Sequence, residues 1–195
     1  MFDAGFYRRY YLDPRTRVAS RADALKLGRF ACAYAAYLGF TVKRVLDAGC
    51  GLGHLRPAVR EFFPRARYVG LETSEYLCRR HGWVRASVAD YSPAEPFDLV
   101  FCHDVLQYLK DDREAGRALR NLANLSRGAL YFSVLTAEDW RRNADRARTD
   151  GTDVRLRPAA WYKARLARQF RPVGGGLLSR RGYQPLLWEL ERPWV

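Results

Sequence analysis

The chain has 195 residues, 48% of them hydrophobic, and a formal net charge of +13; its mean hydropathy is −0.38. That size and balance suit one globular domain, residues 1–195, with a sizeable core, and they exclude a low-complexity chain. No run approaches the roughly 20 apolar residues of a membrane span, so no membrane partner is expected.

The first residues, MFDAGFYRRYY, carry charges where a signal peptide needs its apolar centre, and a cytoplasmic protein is expected. Cys32, Cys50, Cys78 and Cys102 are far apart, as are His54, His81 and His103. Without a C-x-x-C pair no metal is expected, and reduced thiols are the default. Of the 34 basic residues 30 are arginine. They suit either a phosphate-bearing partner or a solvated surface. Their spread along the whole chain favours the surface, so nucleic acid is an alternative partner rather than the favoured one.

In chain order, an aromatic and basic opening, FYRRYYLDPRTRV, precedes Ser20, which begins a capping-box pattern with Asp23. Leu27, Phe30, Ala31, Tyr34, Ala35 and Leu38 recur at a helical period, and Gly39 ends the helix. Strands and helices then alternate. RVLDAG is a buried strand and HLRPAVREFF a helix with Pro57 in its first turn. RYVGLE is a strand, SEYLCRRH a helix, GWVRAS a weaker strand and FDLVFC a continuous apolar strand. DDREAGRALRNLANL places Ala115, Ala118, Leu119, Leu122 and Ala123 on one helical face, and GALYFSVL is a fifth strand. This alternation predicts a parallel sheet covered on both faces. Beyond Leu135 the polar TAEDWRRNADRARTDGTDVRL has no strong period, Pro158 opens a helix as its first residue, and PVGGGLLS and QPLLWELE are expected to pair across Arg180–Gly182.

The most informative stretch is VLDAGCGLGHL, Val45 to Leu55. A strand ends in Asp47, followed by Gly49, Gly51 and Gly53, whose bare backbone lets amides and a helix start approach a ligand. The spacing differs from the dinucleotide fingerprint G-x-G-x-x-G. Glu72 ends the next strand, about 20 residues on, where an acid accepts ribose hydroxyls. Asp90 follows the third strand. All three acids fall at C-terminal strand ends, the rim where open α/β sheets bind ligands.

This ordered set, VLDAGCGLG with Glu72, Asp90-Tyr91 and FDLVFCHDVLQYL, resembles the class I S-adenosylmethionine-dependent methyltransferases over about residues 40–135. The resemblance implies a Rossmann-like seven-stranded, mostly parallel sheet of order 3-2-1-4-5-7-6 with strand 7 antiparallel, and helices on both faces. It divides the chain into an N-terminal arm and helix covering the cofactor pocket (1–40), a cofactor-binding core (41–135) and a substrate segment with a closing hairpin (136–195). It implies S-adenosylmethionine as cofactor and S-adenosylhomocysteine as product. Gly49 and Gly51 would pack under the methionine part with Cys50 contributing backbone, and Asp47 would orient the amino group. Glu72 would hold the ribose beside Thr73, and Asp90 and the Tyr91 amide would read adenine. His103 would line the donor pocket and serve as the candidate base. Tyr7, Tyr11, Tyr108 and Trp140 are candidate acceptor contacts.

The expected function is methyl transfer to a small-molecule acceptor by positioning and direct displacement. The alternatives are an RNA or protein methyltransferase using the basic surface, or a non-catalytic module of the same fold. Methylases of nucleic-acid amines in this family carry Asn or Asp with Pro-Pro and an aromatic after strand four. This chain has CHDV there. A monomer or homodimer is expected.

Overall fold

The computed structural model describes residues 2–142, 145, 148 and 154–186. The chain opens with α1 (Ala4–Tyr7), capped by the Asp3 carboxylate, which accepts from the Phe6 amide, and continues as a π-helical turn at Arg8–Leu12. Helix α2 (Arg21–Tyr37) carries the expected capping box between Ser20 and Asp23. Its buried face is Gly28, Ala31, Cys32, Ala35 and Leu38. Phe30 departs from the sequence pattern: it is 50% exposed, with its ring stacked beside Tyr34 and against Gly175 of the hairpin turn.

There follow β1 (Arg44–Ala48), α3 (Arg56–Phe62), β2 (Arg67–Glu72), α4 (Glu75–His81), β3 (Val84–Arg85) and β4 (Phe97–His103). A 3-10 turn at Leu106–Tyr108 leads into α5 (Asp112–Leu125), β5 (Ser126–Ser133), α6 (Ala137–Arg142) and α7 (Ala159–Leu166), and the sheet is completed by β6 (Phe170–Gly174) and β7 (Leu177–Arg180). The order is β3-β2-β1-β4-β5-β7-β6, with β7 antiparallel to both neighbours. Alternate residues of the central strands enter opposite layers. Leu46, Val100 and Leu130 join one core cluster with α5 and α7; Val45, Leu99 and Ala129 join the other with α2 and α3. Strands buried on both faces have no polar side to show, which is why they read as continuous apolar runs. Among the described residues no helix is long and apolar enough to cross a membrane.

Three expectations are corrected. The closing hairpin turns at Gly175–Gly176, not at Arg180–Gly182, so PVGGGLLS is itself two strands. Gly174, Gly175 and Gly176 have φ of 106°, 55° and 81°, a left-handed run that only glycine adopts freely. Of QPLLWELE, residues 184–186 lie outside any strand and 187–191 outside the described residues. Pro158 is the N-cap of α7 rather than its first residue, with ψ at 146°. The segment after Leu135, read as aperiodic, contains α6.

One buried acid fastens the sheet at the end remote from the glycine turn. Asp98 Oδ2 accepts from the amides of Lys43 and Arg44, each at 2.8 Å, and Oδ1 from Arg127 Nε at 2.6 Å. Burial alone would raise this carboxyl; the Arg127 hydrogen bond and the two amides outweigh it and hold it below the usual carboxylate range. Its stabilisation is therefore present above the unfolded value near 3.9 and is lost as pH falls through the lower folded value. Asp98→Asn is expected to cost about 1–2 kcal/mol at pH 7. In urea unfolding at a series of pH values, that difference should narrow below about pH 4.

Candidate active site

The site forms where β1, β2 and β4 end together. Ala48 is in register with Leu71 and with Cys102, so the turns after β1 and β4 and the last residue of β2 meet at one edge. The turn after β1 is held by its own backbone. The amides of Gly49 and Cys50 both donate to the Leu71 carbonyl, at 2.8 and 3.0 Å. The Gly51 amide donates to Glu72 Oε2 at 3.0 Å, and the Gly53 amide to the Cys50 carbonyl at 2.8 Å. These four amides thus have partners within the fold. The glycines are needed for shape. A Cβ on Gly49 (φ 76°) would collide with Val105 Cγ2. One on Gly51 (φ 51°) would point toward open space, with Tyr7 Cε1 its nearest neighbour at 3.9 Å.

That open space is a cavity of 240 Å³. Its floor is Gly49, Gly51 and Leu71; Glu72 and Thr73 line it after β2, and Ala86, Ser87 and Val88 after β3. Asp104, Val105, Tyr108 and Leu109 come from the turn after β4, with Glu114 of α5. The N-terminal arm supplies Phe2, Phe6, Tyr7 and Tyr11. The arm is fastened by Ser74 Oγ, which donates to the Phe2 carbonyl at 2.5 Å, and by edge-on packing of Phe2 on Tyr108 at 5.4 Å.

Glu72 is 6% exposed. Its Oε1 accepts from the amides of Thr73 and Ser74 at 2.7 and 2.9 Å. The Thr73 hydroxyl also donates to Oε1 at 3.3 Å, whereas among the described residues Oε2 accepts from the Gly51 amide alone, which leaves Oε2 a second acceptor position for a ligand hydroxyl. Asp47 is 3% exposed, accepts from the Tyr68 hydroxyl at 2.6 Å and does not line the cavity. Burial pushes its carboxyl up to about 7 against the pull of the Tyr68 hydrogen bond, with the Glu72 charge adding to the rise. Burial, then Glu72 and Tyr11, raise the Tyr7 hydroxyl, and burial, Asp104 and Glu72 raise that of Tyr11.

The structure brings Gly49, Gly51, Glu72, Thr73, Tyr7, Tyr11 and Tyr108 together around the cavity, but not the other residues singled out in the sequence. Cys50 lies buried beneath the turn. Asp90 is exposed and faces Arg117 at 3.5 Å. The Tyr91 amide donates to the Ser87 carbonyl at 2.9 Å, and its ring packs on the core. The cause is a tight turn after the two-residue β3, in which Ser87 accepts from the amides of Ala89, Asp90 and Tyr91. It carries Asp90 outward and leaves Ser87 and Val88 at the wall. His103 is half-buried behind the wall, with Nε2 3.4 Å from Asp104 Oδ2 and its ring against Tyr131. Trp140 sits on α6, away from the cavity. The cavity also takes in Phe2, Phe6, Ser87, Val88 and Glu114, which the sequence pattern does not single out, and Asp104, which reads there as a capping or packing residue. Of these only the aromatic density of the arm was a visible signal.

A doubly wound sheet of this order, with a glycine turn and a buried acid at adjacent strand ends beside the switch point, defines a nucleoside-binding class of fold. The chain matches the model of a methyltransferase domain over residues 7–176 and belongs to that family, with the class I S-adenosylmethionine-dependent fold. It is similar to trans-aconitate 2-methyltransferases: 35% identical over 74 residues to that of Azoarcus sp. (strain BH72), covering 34% of this chain and 29% of the relative. The match to that of Escherichia coli (strain K12 / DH10B) is 26% identical over 159 residues, covering 75% and 59%. The chain thus spans between 29% and 59% of the length of these relatives. Among solved structures it resembles DesVI of Streptomyces venezuelae, with a TM-score of 0.62 at 17% identity over 81% of this chain and 91% of that one. It also resembles the N-methyltransferase NodS of Bradyrhizobium japonicum WM9 in complex with S-adenosylhomocysteine, with a TM-score of 0.56 at 17% identity over 80% and 88%.

Proposed function

We propose that this chain transfers a methyl group from S-adenosylmethionine to a small-molecule acceptor in the cytoplasm. The observation that carries the reading is the roofed cavity at the β1, β2 and β4 ends, with Glu72 on its wall. The residues fit the donor. Glu72 has an acceptor position left for a ribose hydroxyl, Gly51 leaves a cradle that a side chain would fill, and Ser87 and Val88 form a wall for the base. When bound, the donor supplies a methyl group already activated on a cationic sulfur. The arm's part is to exclude water and hold the reactants in line. Its rings line one side of the cavity, and a partly covered site favours a small molecule over a polymer lying across the basic surface. His103 takes a supporting place behind Asp104. The trans-aconitate 2-methyltransferases among the relatives are named for a small-molecule acceptor, which supports the same reading.

The test is calorimetric titration with S-adenosylmethionine and S-adenosylhomocysteine, with NAD as control. Micromolar binding of the first two is expected. Gly51→Trp, which puts an indole into the cradle, should weaken both by about a hundredfold or more. Its melting temperature should fall only modestly, since the left-handed backbone at Gly51 costs a larger residue about 1–2 kcal/mol. A folded wild-type protein that binds neither ligand would overturn the reading.

A further inference from the structure

We propose that the acceptor is an amine, recognised at its nitrogen by the Asp104 carboxylate. The inference rests on the methyltransferase reading and names the acceptor class of the same cavity.

The charge of the cavity is opposite to that of the chain. The protein carries +13, yet the charged side chains lining the cavity are Glu72, Asp104 and Glu114, and among the described residues no arginine or lysine lines it. Two of the three acids have work within the fold. Glu72 accepts from three amides, and Glu114 Oε2 accepts from the Lys110 amide at 3.2 Å. Asp104 differs. Its backbone is left-handed, at φ 54°, the one non-glycine residue with positive φ among those described. The Asp104 amide donates to the Ser133 carbonyl at 3.0 Å, which pins this conformation to β5. A residue held in a sparsely populated conformation at a cavity wall marks a place where geometry matters to function. Its side chain keeps 41% of its surface open, with His103 Nε2 beside it at 3.4 Å. The rings of Tyr11, Tyr108, Phe2 and Phe6 line the same cavity, and the Asp104 charge reaches the Tyr11 hydroxyl. Ring faces and a carboxylate together favour a cation; a carboxylate acceptor would bring a further anion against the three already there.

The chemistry follows the same polarity. The amine enters as its ammonium and gives one proton to water; the neutral amine then donates a remaining N–H to Asp104 and keeps its lone pair free. That pair forms the N–CH3 bond as the C–S bond of the donor breaks, and the C–S electrons stay on sulfur. The products are an N-methylammonium and neutral S-adenosylhomocysteine, and the ammonium proton passes to water on release. Positive charge therefore moves from sulfur to nitrogen, and a carboxylate already in place stabilises it there as it develops.

The experiment uses the protein saturated with S-adenosylhomocysteine, so that binding is read apart from turnover. Cyclohexylamine, cyclohexanol and cyclohexanecarboxylate serve as matched probes, with affinities measured by ligand-observed NMR. The expected order is amine over alcohol over carboxylate, with at least about tenfold between the ends. Asp104→Asn, which tolerates the left-handed backbone, should erase most of the amine preference while the protein still binds S-adenosylhomocysteine, and Asp104→Glu should restore part of it. Equal or tighter binding of the alcohol or carboxylate, or an amine preference unchanged in Asp104→Asn, would overturn the acceptor class and leave the methyltransferase reading standing. Failure of the wild-type protein to bind S-adenosylhomocysteine would overturn both.

Discussion

Replacement of Glu72 by alanine is expected to weaken S-adenosylmethionine binding by about 1–3 kcal/mol, from roughly fivefold to something over a hundredfold, and to lower stability as well. The two losses share one cause. The carboxylate is the acceptor for the amides of Gly51, Thr73 and Ser74. Removing it leaves the Gly51 amide without its acceptor, although Gly49 and Cys50 still hold the turn to Leu71, and unties the residues leading into α4. A buried amide left without an acceptor costs about 1–3 kcal/mol, less where cavity water replaces the oxygen. Glu72→Gln separates the effects. Its side-chain oxygen still serves the Thr73 and Ser74 amides, while its NH2 group faces the Gly51 amide and the ligand position. That variant should keep most of the stability and lose most of the affinity. Thermal melts by circular dichroism and calorimetric titration of both variants decide it. Wild-type affinity in Glu72→Ala would remove Glu72 from the donor site.

The parts of this site that were legible in the sequence are those written in local pattern. Val45–Ala48, Phe97–Cys102 and Ala129–Tyr131 are buried on both faces and so read as apolar runs, the first two interrupted only by Asp47 and Asp98. The glycine turn follows the first of these and Glu72 ends the neighbouring β2, which fixes the rim of the sheet. The illegible parts depend on contacts far apart in sequence. With only Val84 and Arg85 in β3, no periodicity marks where the strand stops, and Asp90 looked as well placed as Ser87. The left-handed backbone of Asp104 is imposed by β5 and leaves no trace in the letters CHDV. In the hairpin, three glycines inside an apolar stretch hid the turn, while Arg180–Gly182 mimicked one. The arm's aromatic residues were visible, but their roof needs Ser74 and Tyr108 to fasten it.

Asp47 is the second large effect, and its sign is opposite. Its carboxyl is pushed by burial from an ordinary value near 3.9 up to about 7. Between those values the unfolded chain is ionised while the folded one holds its proton. Stability from this group is therefore fully present below about pH 4 and is lost as pH rises to about 7. Asp47→Asn keeps an acceptor for the Tyr68 hydroxyl and carries no charge to desolvate. It should match the wild type near pH 4 and exceed it at pH 8 by roughly 2 kcal/mol. Tyr68→Phe removes the donor that favours the ionised form, so it should lower stability most at pH 8. Register explains the pair: Asp47 lies opposite Gly70, which places Tyr68 two residues away on the same face of the neighbouring strand. A buried acid that lowers stability at neutral pH is a candidate for a functional exchange. Donor titrations at pH 8 test that exchange. Asp47→Asn that is more stable and binds S-adenosylmethionine more weakly places the charge in service of the donor's amino group, acting from beneath the glycine turn. Greater stability with unchanged affinity restricts Asp47 to orienting Tyr68.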